Sequence, residues 1–225
     1  MERPDQLVTV LHQVVLVIVP ILAAVIFHEV AHGVVALALG DDTALRLGRL
    51  TLNPLPHIDP VGTILMPAVL LFAGAPIFGY ARPVPVDFGR LRNPRRDSVL
   101  VAAAGPGTNL LLATLSALVF RVIAARLSDV SVHTAGPLVT DVLVPLAQMA
   151  QASVAINVSL AVFNMLPLPP LDGGRVLTGL LPVAQARRVA AIEPFGFLIL
   201  AVLLMTRTIG PLVHAPVQMI LRVLL

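Results

Sequence analysis

The run His28-Glu29-Val30-Ala31-His32 has the residue types and spacing of a hydrolytic metal site. On a helix, residues i and i+4 lie on one face, so both imidazoles can grip a single zinc ion. Glu29 then stands beside the first imidazole, where its carboxylate can take a proton from metal-activated water as general base. The run sits inside Leu7–Leu39, an apolar stretch whose other conspicuous polar residues are His12 and Gln13. As a helix, that stretch would be about 50 Å long, against about 30 Å of bilayer hydrocarbon. It therefore predicts a transmembrane helix, with Pro20 as a kink point. A carboxylate at membrane depth costs about 2.5 kcal/mol or more unless paired or hydrated. A metal site offsets that cost; a structural cluster of hydrogen-bonded polar groups is the alternative.

The chain around this run has the composition of an integral membrane protein. Of 225 residues, 57% are hydrophobic and only 12% are charged. There is no cysteine, which excludes disulfides, thiolate ligands and a thiol nucleophile. All 15 basic residues are arginines, placed mostly between apolar runs. With a net charge of +3 they read as topology signals, and nucleic-acid binding is not expected. The N-terminal residues Met1–Gln6 show no cleavable signal, and no repeat or low-complexity tract stands out. One membrane domain over residues 1–225 is the simplest organisation.

The remaining elements must bring further ligands to the two histidines. Gly40-Asp41-Asp42 is expected to end the first helix. Residues Thr43–Leu52 alternate weakly, which predicts a short β-ribbon with Gly48 at a turn or bulge. Asn53–Pro60 is too rich in proline for a helix or central strand. Val61–Phe72 is apolar but short for a span, and Gly74-Ala75-Pro76 breaks it. A re-entrant hairpin over 61–86 is expected, returning as the extended piece Tyr80–Val86. An ordinary span, Val61–Gly79, is the alternative. Further spans are expected at Ser98–Ala125, Val142–Leu166 and Ala184–Thr206. A short helix is expected at Arg175–Leu181, and a final apolar one at Pro211–Leu225.

Arginine placement favours the hairpin. It puts loops 40–97 and 167–188 on one side, with ten arginines, against Arg3, Arg126, Arg207 and the nearby Arg121 opposite. That is a positive-inside bias, placing the motif toward the cytoplasm. The fold class is thus an all-α polytopic membrane protein with four to five transmembrane helices. It adds a re-entrant hairpin and a short β-ribbon near the cytoplasmic face.

Two histidines do not complete a catalytic zinc site, which takes three protein ligands and an open position for water. Asp172 is a candidate third ligand, since it follows Pro169-Pro170 and precedes Gly173-Gly174. N-capping of the short helix is its alternative use.

The HEVAH run, paired with Asn164-x-x-Pro167-x-Pro169-Pro170-x-Asp172-Gly173, resembles the site-2 protease family of intramembrane zinc metalloproteases. The resemblance covers essentially the whole chain. It implies that His28, His32 and Asp172 hold one Zn2+ and that Glu29 activates water. It also implies that Asn164 positions substrate or stabilises the oxyanion. Gly105-Pro106-x-x-Asn109 matches another recurring family element, in which Asn109 has a supporting or helix-packing role. The short loop 126–141 and the end at Leu225 resemble the compact branch, without PDZ or CBS modules. His57 and Asp59 look typical of that branch too, and His57 reads as ordering a membrane-edge loop rather than as a fourth ligand. Glu193 is expected to pair with Arg187 or Arg188, and His12, His133 and His214 are incidental.

The reading is therefore an intramembrane zinc endopeptidase in a prokaryotic cell membrane. Its partners are the lipid bilayer and transmembrane protein substrates; the sequence leaves its oligomeric state open. The rival is a non-proteolytic membrane metal-binding or transport protein. That rival requires polar residues spread along a path, whereas here they cluster at the motif and at Asn164–Asp172.

Overall fold

The computed structural model describes residues 4–72, 74, 79–128 and 136–225, with side chains from His12 onward. Helix α1 (Pro4–Ala38) carries the HEVAH run and contains Pro20. It is followed by the one-turn α2 (Thr43–Arg46), α3 (Met66–Phe72) and the long α4 (Pro94–Leu127). A π-helical turn, Leu138–Leu143, leads into α5 (Val144–Asn164). Then come α6 (Asp172–Leu180), α7 (Val183–Ala190), α8 (Gly196–Met205) and α9 (Ile209–Leu224). Four stretches are long and apolar enough to cross a membrane: His12–Ala38, Pro94–Leu127, Leu138–Asn164 and Val183–Met205. They match the four spans expected from sequence, although the last is interrupted by a 3-10 turn at Glu193–Phe195.

Helix α4 is the hub, packing on α1, α5 and α6. Its small residues Ala113 and Ala117 meet Val154 and Val158 of α5, with Val217 of α9 closing the cluster. Small side chains let helix backbones approach closely where lipid offers no hydrophobic driving force. The outward faces carry exposed Val14, Ile18, Leu111, Leu118, Leu198 and Val202. A contiguous apolar surface of that kind suits hydrocarbon and not water.

Helix α1 stops where Gly40 adopts φ +113°, with Asp41 N–H donating to Ala36 O and Gly40 N–H to Leu37 O. This is a Schellman closure, which needs a residue free to enter the left-handed region. The β-ribbon expected at Thr43–Leu52 does not form: no strand occurs among the described residues. Instead α2 closes the same way on Gly48 (φ +64°), with Arg49 N–H donating to Ala44 O and Gly48 N–H to Leu45 O. The alternation was misleading because Leu45, Leu47 and Leu52 are all exposed and share no buried face.

Residues 60–87 double back. Asp59 Oδ1 accepts from Val61 N–H (3.0 Å) and Gly62 N–H (2.7 Å), starting the π-helical turn Pro60–Leu65 that runs into α3. The tip, residues 73 and 75–78, lies outside the described residues. The chain returns extended, and Tyr80 N–H donates to Gly62 O at 3.1 Å. The Tyr80 ring covers Gly62 so closely that a Cβ there would lie 2.4 Å from it. A continuous helix would separate residues 62 and 80 by about 27 Å. The expected hairpin therefore forms, and the straight span does not.

Asp41, 1% exposed, ties the end of α1 to this returning segment. It accepts from Thr43 N–H and Thr43 Oγ1 at one oxygen and from Asp87 N–H (2.8 Å) at the other. Burial acts to raise its pKa, but the hydrogen bonds from Thr43 and Asp87 and the charge of Arg90 outweigh it and hold the carboxyl below its usual range. A depressed carboxyl pKa gives stability that is complete above the unfolded-state value and is lost as pH falls toward the folded one. Asp41→Ala is expected to cost about 2 kcal/mol at pH 7. Denaturation followed against pH in detergent should show the gap between wild type and variant narrowing as pH falls below about 4.

Candidate metal centre

Three side chains from two elements converge on one point: α1 brings His28 and His32, and the first turn of α6 brings Asp172. The i,i+4 spacing puts both imidazoles on one face of α1, their rings edge to face with centroids 4.7 Å apart. His28 Nε2 lies 3.1 Å from His32 Nε2 and 3.1 Å from Asp172 Oδ2. His32 Nε2 lies 3.4 Å from Asp172 Oδ1. The expected third ligand is therefore brought to the two histidines. Asp172 is not the N-cap of α6: Leu171 holds that position and Asp172 is the first residue of the helix.

Local backbone chemistry places Asp172. Residues 165–171 turn back on α6 so tightly that a Cβ on Gly173 would lie 2.3 Å from Met165 O. On Gly174 it would lie 2.4 Å from Pro169 N. Only glycine fits either position, so the Asp-Gly-Gly order sets the carboxylate at the head of the helix. Across the site, α4 is pared down in the same way. A Cβ on Gly105 would lie 2.5 Å from His32 Nε2 and 2.6 Å from His28 Nε2. The next residue, Pro106, cannot bond back along the helix and loosens this turn. In that turn Val101 O accepts from His32 Nδ1 at 2.7 Å.

The hydrogen bonds at the far side of each ring decide its tautomer. Val101 O only accepts, so His32 carries its proton on Nδ1 and a lone pair on Nε2. His28 Nδ1 donates to Asn109 Oδ1 at 2.6 Å, because the Asn109 amide group is engaged in donating to Ala24 O at 3.1 Å. His28 Nε2 is therefore also a lone pair. Two ring lone pairs and a carboxylate then face one another at 3.1–3.4 Å. Asp172 Oδ2 is buried there without a hydrogen bond. With neutral rings this is repulsive unless a cation lies between them. Tetrahedral zinc with ligand distances near 2.05 Å separates its ligand atoms by about 3.3 Å, so the donor set fits that ion in type and spacing.

Glu29 stands outside the cluster of ligand atoms. Its Oε2 accepts from Val84 N–H at 2.8 Å on the returning extended segment. Pro83 and Pro85 flank Val84, so this is the single N–H among the three residues. Arg49 NH2 donates to Arg82 O (2.9 Å) and Pro83 O (3.2 Å), fixing the segment from the other direction. Asn164 is not joined to the three ligands by a hydrogen bond; its Nδ2 donates to Leu160 O on its own helix. His57, 3% exposed, contacts Thr51 O through Nε2 and orders the 51–58 loop as expected. Glu193 pairs with Arg175 at 3.3 Å, a correction to the expected Arg187 or Arg188. The turn at 165–171 meets the start of α8, where a Cβ on Gly196 would lie 2.3 Å from Pro169 O, and this brings the 3-10 turn with Glu193 within reach of Arg175.

Sequence reasoning missed the Val84 N–H and Val101 O contacts. The Pro-x-Pro pattern signals the first, since it isolates one donor; a backbone carbonyl leaves no such trace. It also weighed Asn109 mainly as a packing residue, although its i+4 offset from Gly105 puts both on the face that meets α1.

Comparison with known proteins agrees with this geometry. The model of peptidase family M50 matches residues 16–206. "Putative zinc metalloprotease YwhC" of Bacillus subtilis is 38% identical over 190 residues, covering 84% of this chain and 80% of that protein. "Putative zinc metalloprotease Rip2" of Mycolicibacterium smegmatis is 29% identical over 196 residues, 85% of this chain and 67% of its own. The Mycobacterium tuberculosis protein of the same name is 30% identical over 202 residues, 87% and 69%. No solved structure matches the chain. The four membrane-length apolar stretches and a match reaching from the first of them to the last leave one conclusion: this chain is a multi-pass membrane protein that belongs to peptidase family M50, the site-2 protease family of metalloproteases.

Proposed function

We propose that this protein is a zinc endopeptidase that cuts transmembrane segments of other membrane proteins from the cytoplasmic side of a prokaryotic membrane. The observation that carries it is the convergence of His28 Nε2, His32 Nε2 and the Asp172 carboxylate, with both ring tautomers set for ligation. These three residues would hold the ion. When bound, zinc supplies an acidified water, with its pKa lowered from 15.7 toward about 7, and Lewis-acid polarisation of a carbonyl.

The chain's own residues do the rest. Glu29, held through Oε2 by Val84 N–H, keeps Oε1 free to take the proton of the attacking water. It delivers that proton to the leaving amine nitrogen when the C–N bond breaks. Asn164 is assigned the supporting donor to the developing oxyanion, which requires its amide to leave Leu160 O. A helical substrate hides its carbonyls in its own hydrogen bonds, so it must unwind locally before reaching the site. The hairpin 60–87 re-enters the bilayer in this reading and lines the route. His32 and Asp172 retain 12% and 15% side-chain exposure, which leaves a wet approach to the ligands.

Glu29→Gln is expected to retain zinc and lose cleavage of a helical reporter substrate by about 10² to 10⁴-fold, the usual weight of a general base. Cleavage at the wild-type rate would refute the assignment. Gly105→Ala forces a methyl onto both imidazoles. Equilibrium dialysis against zinc should show at least about tenfold weaker binding, and unchanged binding would mean that the ligands lie elsewhere.

A further inference from the structure

The metal-facing imidazole of His28 is the end of a longer buried chain. Asn109 and Asn157 are 0% and 1% exposed, in the middle of α4 and α5. Asn109 Nδ2 donates to Asn157 Oδ1 at 2.8 Å. Asn157 Nδ2 donates to Ser153 O at 2.9 Å and reaches Ser153 Oγ at 3.2 Å. Ser153 Oγ meets Ser116 Oγ at 2.8 Å, returning the chain to α4. Unsatisfied polar groups cost several kcal/mol in hydrocarbon, and alanine or leucine would pack α4 on α5 without that risk.

The chain has a direction. Ser153 O is a backbone carbonyl and can only accept, so it takes the Asn157 amide hydrogens and turns Asn157 Oδ1 toward α4. That oxygen accepts from Asn109 Nδ2, which turns Asn109 Oδ1 toward α1. His28 then donates from Nδ1 and keeps its lone pair on Nε2. Reversing the Asn109 amide would put the His28 proton on Nε2 and remove it as a ligand, and a reversed Asn157 would set two amide donors against each other and pull Asn109 toward that reversal.

We infer that Asn157, whose hydrogen bonds go to Asn109 and Ser153 and to none of the three candidate ligands, is a positioning residue that fixes the ligating tautomer of His28 through Asn109. The inference rests on the metal reading above. Ala24 O also holds Asn109, so loss of Asn157 should weaken the site without abolishing it.

The test uses the full chain in detergent. Zinc affinity is measured by chelator competition, and ligand geometry by the visible absorption of bound Co2+. Asn157→Ala should bind zinc about tenfold more weakly, at the low end for loss of an outer-shell partner, and should shift the Co2+ bands. Val158→Ala, a neighbouring core truncation on α5, should lower thermal stability and leave both metal readings unchanged. Wild-type zinc affinity in Asn157→Ala would overturn the inference, as would an equal loss in Val158→Ala. If Asn157→Ala does not fold by size exclusion, Asn157→Ser, which is too short to reach Asn109, takes its place with the same two outcomes. A wild-type chain that binds no zinc would instead defeat the metal reading itself, so the two failures are distinguishable.

Discussion

Mutual repulsion among three electron-rich atoms governs this structure. His28 Nε2, His32 Nε2 and the Asp172 carboxylate face one another inside an apolar bundle, and burial strengthens their repulsion. Holding them together therefore takes rigid scaffolding, supplied by glycines at 105, 173 and 174 and by acceptors behind each ring. The same arrangement would make the site select a divalent cation with high affinity. In that sense the packing of α1, α4 and α6 and the chemistry of the site are one problem.

Glu29, the proposed general base, is anchored on a different part of the chain. The ligands come from helices and a helix start, which resist displacement. Glu29 instead leans on a backbone amide of the extended segment, itself fastened by Arg49, His57 and Gly62. The three candidate ligands and Glu29 therefore belong to separately braced parts of the molecule.

Much of this was legible in the sequence because each readable feature is chemically costly where it stands. Histidines and a glutamate in an apolar helix demand an explanation, and their i,i+4 spacing gives one. Gly40 marks a helix end because its backbone conformation is open to few other residues. The region 43–52 was misread for the converse reason. Alternation of Leu with Arg and Thr imitates a strand when leucines face lipid or solvent, and only the hydrogen bonds of the Gly48 closure reveal a helix. The Arg175–Glu193 pair was hidden because it depends on how the 165–171 turn meets the start of α8, and sequence proximity favours Arg187 and Arg188 instead. Asn164 was read from resemblance, and its contact with Leu160 O illustrates how little a motif says about a side chain's resting hydrogen bond.

The extended piece that braces Glu29 would otherwise be an adhesive surface. Residues 80–87 carry six N–H groups, since prolines occupy 83 and 85. Four of the six, at Tyr80, Arg82, Val84 and Asp87, are already spent on Gly62, His57, Glu29 and Asp41. Two copies of the protein meeting in the plane of a crowded bilayer thus find almost no donors with which to zip together. The prolines that isolate the Val84 amide also insulate the molecule against edge-to-edge aggregation.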